Sequence, residues 1–217
     1  MKPVGVVLCG DDFSGRTEFQ ETFLVISALK KQGVESQCIV IDESQHHVIK
    51  ELFIKKEKEG ILTATESSFL SLSEIISLKE SVPENFSALI FPGGFGTIRR
   101  LTTLETDGSD YTIDEELFTL AQETHKQGKP LGFISQAGVL APKLVGTEVR
   151  ITLGTDVDRA ELLDAIGAEP VSCPADDIVV NLEMKIVSTP GLLAEESDRK
   201  AAVGIDKLVR CVMEWSK

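Results

Sequence analysis

The chain has 217 residues, 42% hydrophobic and 26% charged, with 17 glycines and 8 prolines; this ordinary globular composition excludes a disordered, collagen-like or disulfide-dense chain. Lys and Arg number 22 against 35 Asp and Glu, a net charge of −13, and so acidic a chain repels phosphate backbones and anionic lipid heads, so no nucleic acid and no membrane surface is expected as a partner. The longest charge-free stretch, Asn85 to Ile98, is too short to span a bilayer and is broken by Pro92, Gly93 and Gly94.

Val4–Leu8 predicts the opening strand. It follows Met1-Lys2-Pro3 directly, unlike the charged-then-apolar head of an export signal. Thr17-x-x-Gln20 reads as a capping box for a helix with Phe19, Phe23, Ile26 and Leu29 or Lys30 at helical spacing, ended by Gly33. Gln37–Ile41 predicts a second strand. Residues 43–84 are charged and Ser-rich, and read as an irregular excursion within a single domain of residues 1–217, with one short strand at Ile75–Leu78. The adjacent His46 and His47 in that stretch lack a partner at i+3 or i+4, so they read as surface residues, and no metal site is expected.

Ala88–Phe91 is a continuous apolar run ending in Pro92-Gly93-Gly94, as in a strand buried on both faces. Thr112-x-x-Glu115 predicts a capping box for a helix carrying Ile113, Leu117, Leu120, Ala121 and Thr124, stopped by Gly128 and Pro130. Leu131–Ile134 is another buried strand and runs straight into Ser135-Gln136-Ala137-Gly138. Val149–Leu153 predicts a strand, and Thr155 or Asp156 caps a helix reaching Ile166-Gly167. Ile178–Val180 and Lys185–Ser188 read as a hairpin, and a last helix puts Ala201, Ile205, Leu208, Val209 and Val212 on one face. The alternation argues for an α/β fold: a mostly parallel sheet with helices on both faces and a ligand crevice at the strand C-termini.

Three strand ends carry unusual residues: Leu8-Cys9-Gly10-Asp11-Asp12, Phe91-Pro92-Gly93-Gly94-Phe95-Gly96 and Gly132 to Gly138. The glycine loop lacks the Lys-Ser/Thr of a P-loop and the spacing of a dinucleotide fingerprint. It is either a tight turn or a place where main-chain N–H groups converge on developing negative charge. Ser135 is either a helix N-cap or the apex of a nucleophile elbow. Phe133 and Ala137 occupy the glycine positions of the hydrolase GxSxG, and none of the three histidines, His46, His47 and His125, follows Ser135. Both facts weigh against a Ser-His-Asp hydrolase. Glu18 and Glu21, three apart, are either ordinary first-turn glutamates or include one that points back over the sheet edge. Cys9, Cys38, Cys173 and Cys211 are widely spaced with no CxxC, which predicts free thiols in a reducing cytoplasm.

Six segments in order, Ala88–Gly96, Gly128–Phe133, Leu153–Asp156, Pro174–Val180, Lys185–Pro190 and Gly204–Val209, resemble the ElbB-type proteins. That family, named for enhanced lycopene or isoprenoid biosynthesis, sits in the PfpI, class I glutamine amidotransferase-like superfamily. The resemblance covers nearly the whole chain and is weakest over residues 43–84. It implies a flavodoxin-like three-layer sandwich, a homodimer, no cofactor, and a small-molecule carbonyl ligand. Some members convert glyoxal or methylglyoxal to the hydroxy acid without glutathione or metal. It also implies a three-part site: an elbow residue at Ser135, a carboxyl at Glu21, and backbone positions at Gly93, Gly94 and Gln136, with N–H donors at Gly94 and Gln136.

One departure matters: the family's elbow cysteine is Ser135 here. A thiol titrates near 8.5 and is readily ionised by an elbow at a helix N-terminus; an alcohol is not. The expectation is therefore a glyoxalase-like, cofactor-independent lyase with weak or lost turnover. Cys9 is an alternative thiol at the same edge. The competing reading is a non-catalytic small-molecule-binding or regulatory protein linked to isoprenoid metabolism. An amidotransferase would need a Cys-His pair.

Overall fold

The computed structural model describes residues 2–8, 16–41, 74–194 and 197–217. Cys9, His46, His47 and most of the expected excursion lie outside these residues. The strands are β1 (Val4–Leu8), β2 (Ser36–Val40), β3 (Glu74–Ser77), β4 (Ala88–Phe91), β5 (Leu131–Ile134), β6 (Arg150–Ile151), β7 (Glu169–Pro170), β8 (Val179–Asn181) and β9 (Ile186–Thr189). Seven of them form one sheet in the order β3-β2-β1-β4-β5-β9-β8. Its pairings are parallel except for β8 against β9, the predicted hairpin. This is the flavodoxin-like architecture, and strand order reverses beside β1, between β2 and β4.

The helices are α1 (Arg16–Lys31), α2 (Phe95–Leu101), α3 (Leu104–Asp107), α4 (Glu115–Lys126), α5 (Ala141–Val145), α6 (Val157–Ala165) and α7 (Asp198–Trp215). They cover both faces because each buried strand alternates sides, as a two-residue period requires. Val4, Val6 and Leu8 of β1, with Ala88 and Ile90 of β4, join Val25, Leu29, Leu208 and Val212 of α1 and α7 in one core. Val7, Leu89, Phe91, Leu131 and Phe133 point the other way, onto Leu117, Leu120 and Leu144 of α4 and α5. Phe91 and Phe133 stack with centroids 5.0 Å apart and fix neighbouring strands β4 and β5 in register. α7 lies close on β5: a Cβ on Gly132 would come within 3.0 Å of Leu208 and 3.3 Å of Val212. No described helix is long and apolar enough to cross a membrane.

Several local expectations are corrected. α1 begins at Arg16, so Thr17 lies in its first turn rather than at its N-cap. Asp114, not Thr112, caps α4: its carboxylate accepts from Leu117 N at 3.0 Å, three residues on, while Thr112 N donates to Thr103 Oγ1. Of Val149–Leu153 only Arg150–Ile151 forms a strand, and it pairs outside the main sheet with Glu169–Pro170. α2 follows the glycine loop at once, a helix that the sequence does not predict. Asp156, one of two expected caps, accepts from Arg159 N and opens α6.

Candidate active site

The C-terminal ends of β4, β5 and β9 bring four distant segments together. Ser135 follows β5 with φ 54°, a left-handed conformation that costs a non-glycine residue about 1–2 kcal/mol. The bend aims Oγ away from the chain that follows. Ser135 is therefore not a helix cap: its hydroxyl bonds to no backbone group of the 3-10 turn Ser135–Leu140 that it opens. The turn is pinned from the far side, where buried Tyr111 donates its hydroxyl to Val139 O at 2.6 Å.

Ser135 Oγ lies 2.6 Å from Glu21 Oε1 and 3.0 Å from Pro190 O, and accepts from Leu193 N at 3.2 Å. Glu21 projects from the second turn of α1 and is fully buried. Leu192 N donates to its Oε1 at 2.8 Å and Gly93 N to its Oε2 at 3.0 Å. Burial pushes the Glu21 carboxyl up to about 8, against the opposing pull of the Ser135, Leu192 and Gly93 donors, and the Glu18 charge adds to the rise. Glu21 is thus largely a neutral acid at pH 7. A neutral acid also accounts for the two acceptors around one hydroxyl: the acid proton can occupy the 2.6 Å contact while the serine proton goes to Pro190 O.

Of the two first-helix glutamates, Glu21 meets the elbow. Glu18 is also buried and lies against the glycine loop, where a Cβ on Gly94 would sit 3.0 Å from its Cβ. Gly93 packs directly on the elbow backbone. A Cβ there would collide with Ile134 O and lie 2.8 Å from Gln136 N and from Ala137 N. The Gly93 N–H is itself turned to Glu21 Oε2, at 3.0 Å. Gln136 follows Ser135 with its side chain buried, and its Oε1 has no hydrogen-bond partner among the described residues. Cys9, the alternative thiol, lies outside the described residues. Among the described residues no cluster of His, Cys, Asp or Glu could hold a metal ion.

The sequence reading missed the fourth wall, Pro190-Gly191-Leu192-Leu193. Gly191 has φ 57°, and a Cβ on it would lie 2.5 Å from Glu21 Oε1, 2.7 Å from Ile134 Cγ2 and 3.1 Å from Ser135 Oγ. Only glycine fits. The available signal was Pro-Gly directly after a strand, at the same sheet edge as the other two loops.

A mostly parallel sheet with helices on both faces is the fold this chain shares with solved amidotransferase-like, DJ-1 and ThiJ/PfpI structures. The chain belongs to the glutamine amidotransferase-like class 1 domain family. It is 31% identical over 221 residues to human "Glutamine amidotransferase-like class 1 domain-containing protein 3, mitochondrial", an alignment covering 97% of this chain and 82% of that one. Among solved structures it is similar to an isoprenoid biosynthesis protein with an amidotransferase-like domain from Ehrlichia chaffeensis, with TM-score 0.74, 21% identity, and 98% and 99% of the two chains covered. It is also similar to Drosophila melanogaster DJ-1beta, with TM-score 0.58, 13% identity, and 99% and 96% covered. No family model matches the chain.

Proposed function

We propose that this chain binds small dicarbonyls, such as glyoxal and methylglyoxal, at the Ser135–Glu21 elbow, and that it is a glyoxalase-type site with weak or lost turnover. One observation carries the reading: Ser135 Oγ lies 2.6 Å from a carboxyl that burial keeps protonated near neutral pH. Addition of Oγ to an aldehyde would form an Oγ–C bond, push the carbonyl electrons onto oxygen and require the hydroxyl proton to leave. Neutral Glu21 cannot take that proton, and the alcohol does not give it up unaided as a thiol does. His125 offers no base, since it sits in the last turn of α4, towards the opposite edge of the sheet. What the arrangement does instead is hold the Ser135 hydroxyl in place between Glu21 Oε1, Pro190 O and Leu193 N.

Substituting the missing thiol tests this. Ser135→Cys is expected to raise lactate formation from methylglyoxal by at least about tenfold, the equivalent of about 1.4 kcal/mol off the barrier. A wild-type rate equal to that of the variant would overturn the reading. The second reading, a non-catalytic binding protein, is favoured by the burial of Ser135, which is 1% exposed. A thermal upshift with hydroxy acid or dicarbonyl, and no product even in Ser135→Cys, would select it. The proposal includes a homodimer in a reducing compartment, the cytoplasm in the sequence reading. The free Cys38, Cys173 and Cys211 support a reducing setting.

A further inference from the structure

The opposite edge of the sheet, where β4, β5 and β9 begin, holds a groove of about 690 Å³. Lys2, Lys129, Lys185 and Lys217 line it, with Phe86 and Trp215 as its aromatic wall. Four ammonium groups on one groove stand out in a chain of net charge −13. Lys129 Nζ donates to Pro83 O at 2.6 Å and Lys185 Nζ to Gly128 O at 2.9 Å. These carbonyls hold the two side chains in place but remove no charge, and each ammonium keeps two further N–H donors. Among the described residues none of the four lysines forms an ion pair. Burial and the Lys2 ammonium hold Lys129 below its ordinary value, with only the Glu84 charge opposing. Glu84 is itself engaged by Gln127 Nε2 at 2.8 Å.

We propose that this groove is a second ligand site, for a compact, multiply charged anion of the phosphate class, held by Lys2, Lys129 and Lys185 beside Trp215. Clustered cations with little opposing charge attract such a ligand, and it relieves their mutual repulsion. The acidic remainder of the surface repels extended polyanions and anionic bilayers, so the occupant is small and free in solution. The site is independent of the elbow: strands of four or five residues separate the two by about 15 Å.

Trp215 is the chain's single tryptophan, so its fluorescence reports on this groove. Titration of the whole protein with tripolyphosphate is expected to give a saturable change in Trp215 emission that weakens as salt is added. Lys129→Gln with Lys185→Gln is expected to weaken binding by roughly tenfold or more. Lys129→Arg with Lys185→Arg, which keeps the charge, retains it. Arg99→Gln with Arg210→Gln removes two exposed charges elsewhere and leaves it unchanged. The absence of a saturable response at millimolar tripolyphosphate would overturn the proposal, as would equal weakening in the Arg99/Arg210 control. Co-sedimentation with phosphatidylserine-containing vesicles would overturn the assignment to a free anion.

Discussion

Gly191 shows how tightly the elbow is built. Its left-handed backbone and the 2.5 Å approach to Glu21 Oε1 each exclude a side chain. Gly33, which ends α1 in a left-handed turn, also has a positive φ, 70°, but meets nothing within 4 Å. Gly33→Ala therefore isolates the backbone penalty, expected at about 1 kcal/mol, while Gly191→Ala adds a collision and is expected to cost about 3 kcal/mol in urea denaturation. Equal losses would show that the pocket yields around residue 191. At this scale the sequence was informative where chemistry is unusual: a serine on a strand-to-helix bend and glycines after a buried run. It was silent on Pro190-Gly191, because the role of that pair depends on a carboxyl some 170 residues away, the Glu21–Leu192 contact spanning 171 positions. Nor did spacing choose between Glu18 and Glu21; which one reaches Ser135 is set by how α1 docks on the sheet.

At the scale of elements, buried strands were legible and their margins were not. Ala88–Phe91 and Leu131–Ile134 came out as expected because both faces of each are covered, so the apolar run equals the strand. Val149–Leu153 alternates apolar residues with Arg150 and Thr152, but a strand needs a partner, and only Glu169–Pro170 is offered. Its flanking residues are buried without joining a ladder. The α4 start has a similar origin. Thr112-x-x-Glu115 fits the capping pattern, yet Asp114 stands one turn before Leu117 and its short carboxylate takes the free N–H. Asp114→Ala is expected to cost about 1 kcal/mol of stability, and Thr112→Ala, on an exposed side chain, no more than about 0.5 kcal/mol. Chemical denaturation of the two variants checks the order; the reverse order would restore Thr112 as the cap.

Over the whole molecule, the alternation of apolar runs and amphipathic helices was enough to specify the architecture, since a parallel sheet with covered faces leaves few alternatives. The charge −13 gave the long-range field but hid the basic groove, because lysines at positions 2, 129 and 185 meet only after folding. Global stability should also carry the imprint of Glu21. Its ordinary value is 4.5 and its folded value about 8, so between those pH values the folded chain holds a proton that the unfolded chain has released. Its contribution is full below about pH 4.5 and is lost as pH rises through 8, with a slope of at most about 1.4 kcal/mol per pH unit. Urea midpoints from pH 5 to 8 are expected to show this decline in wild type and a shallower one in Glu21→Gln; identical slopes would mean the carboxyl titrates normally.

The donors around Glu21 come from sequence separations of 72, 114 and 171 residues. No single local segment can assemble them, so retention of that proton at neutral pH is a property of the folded chain as a whole, lost with any opening that parts α1 from the sheet edge.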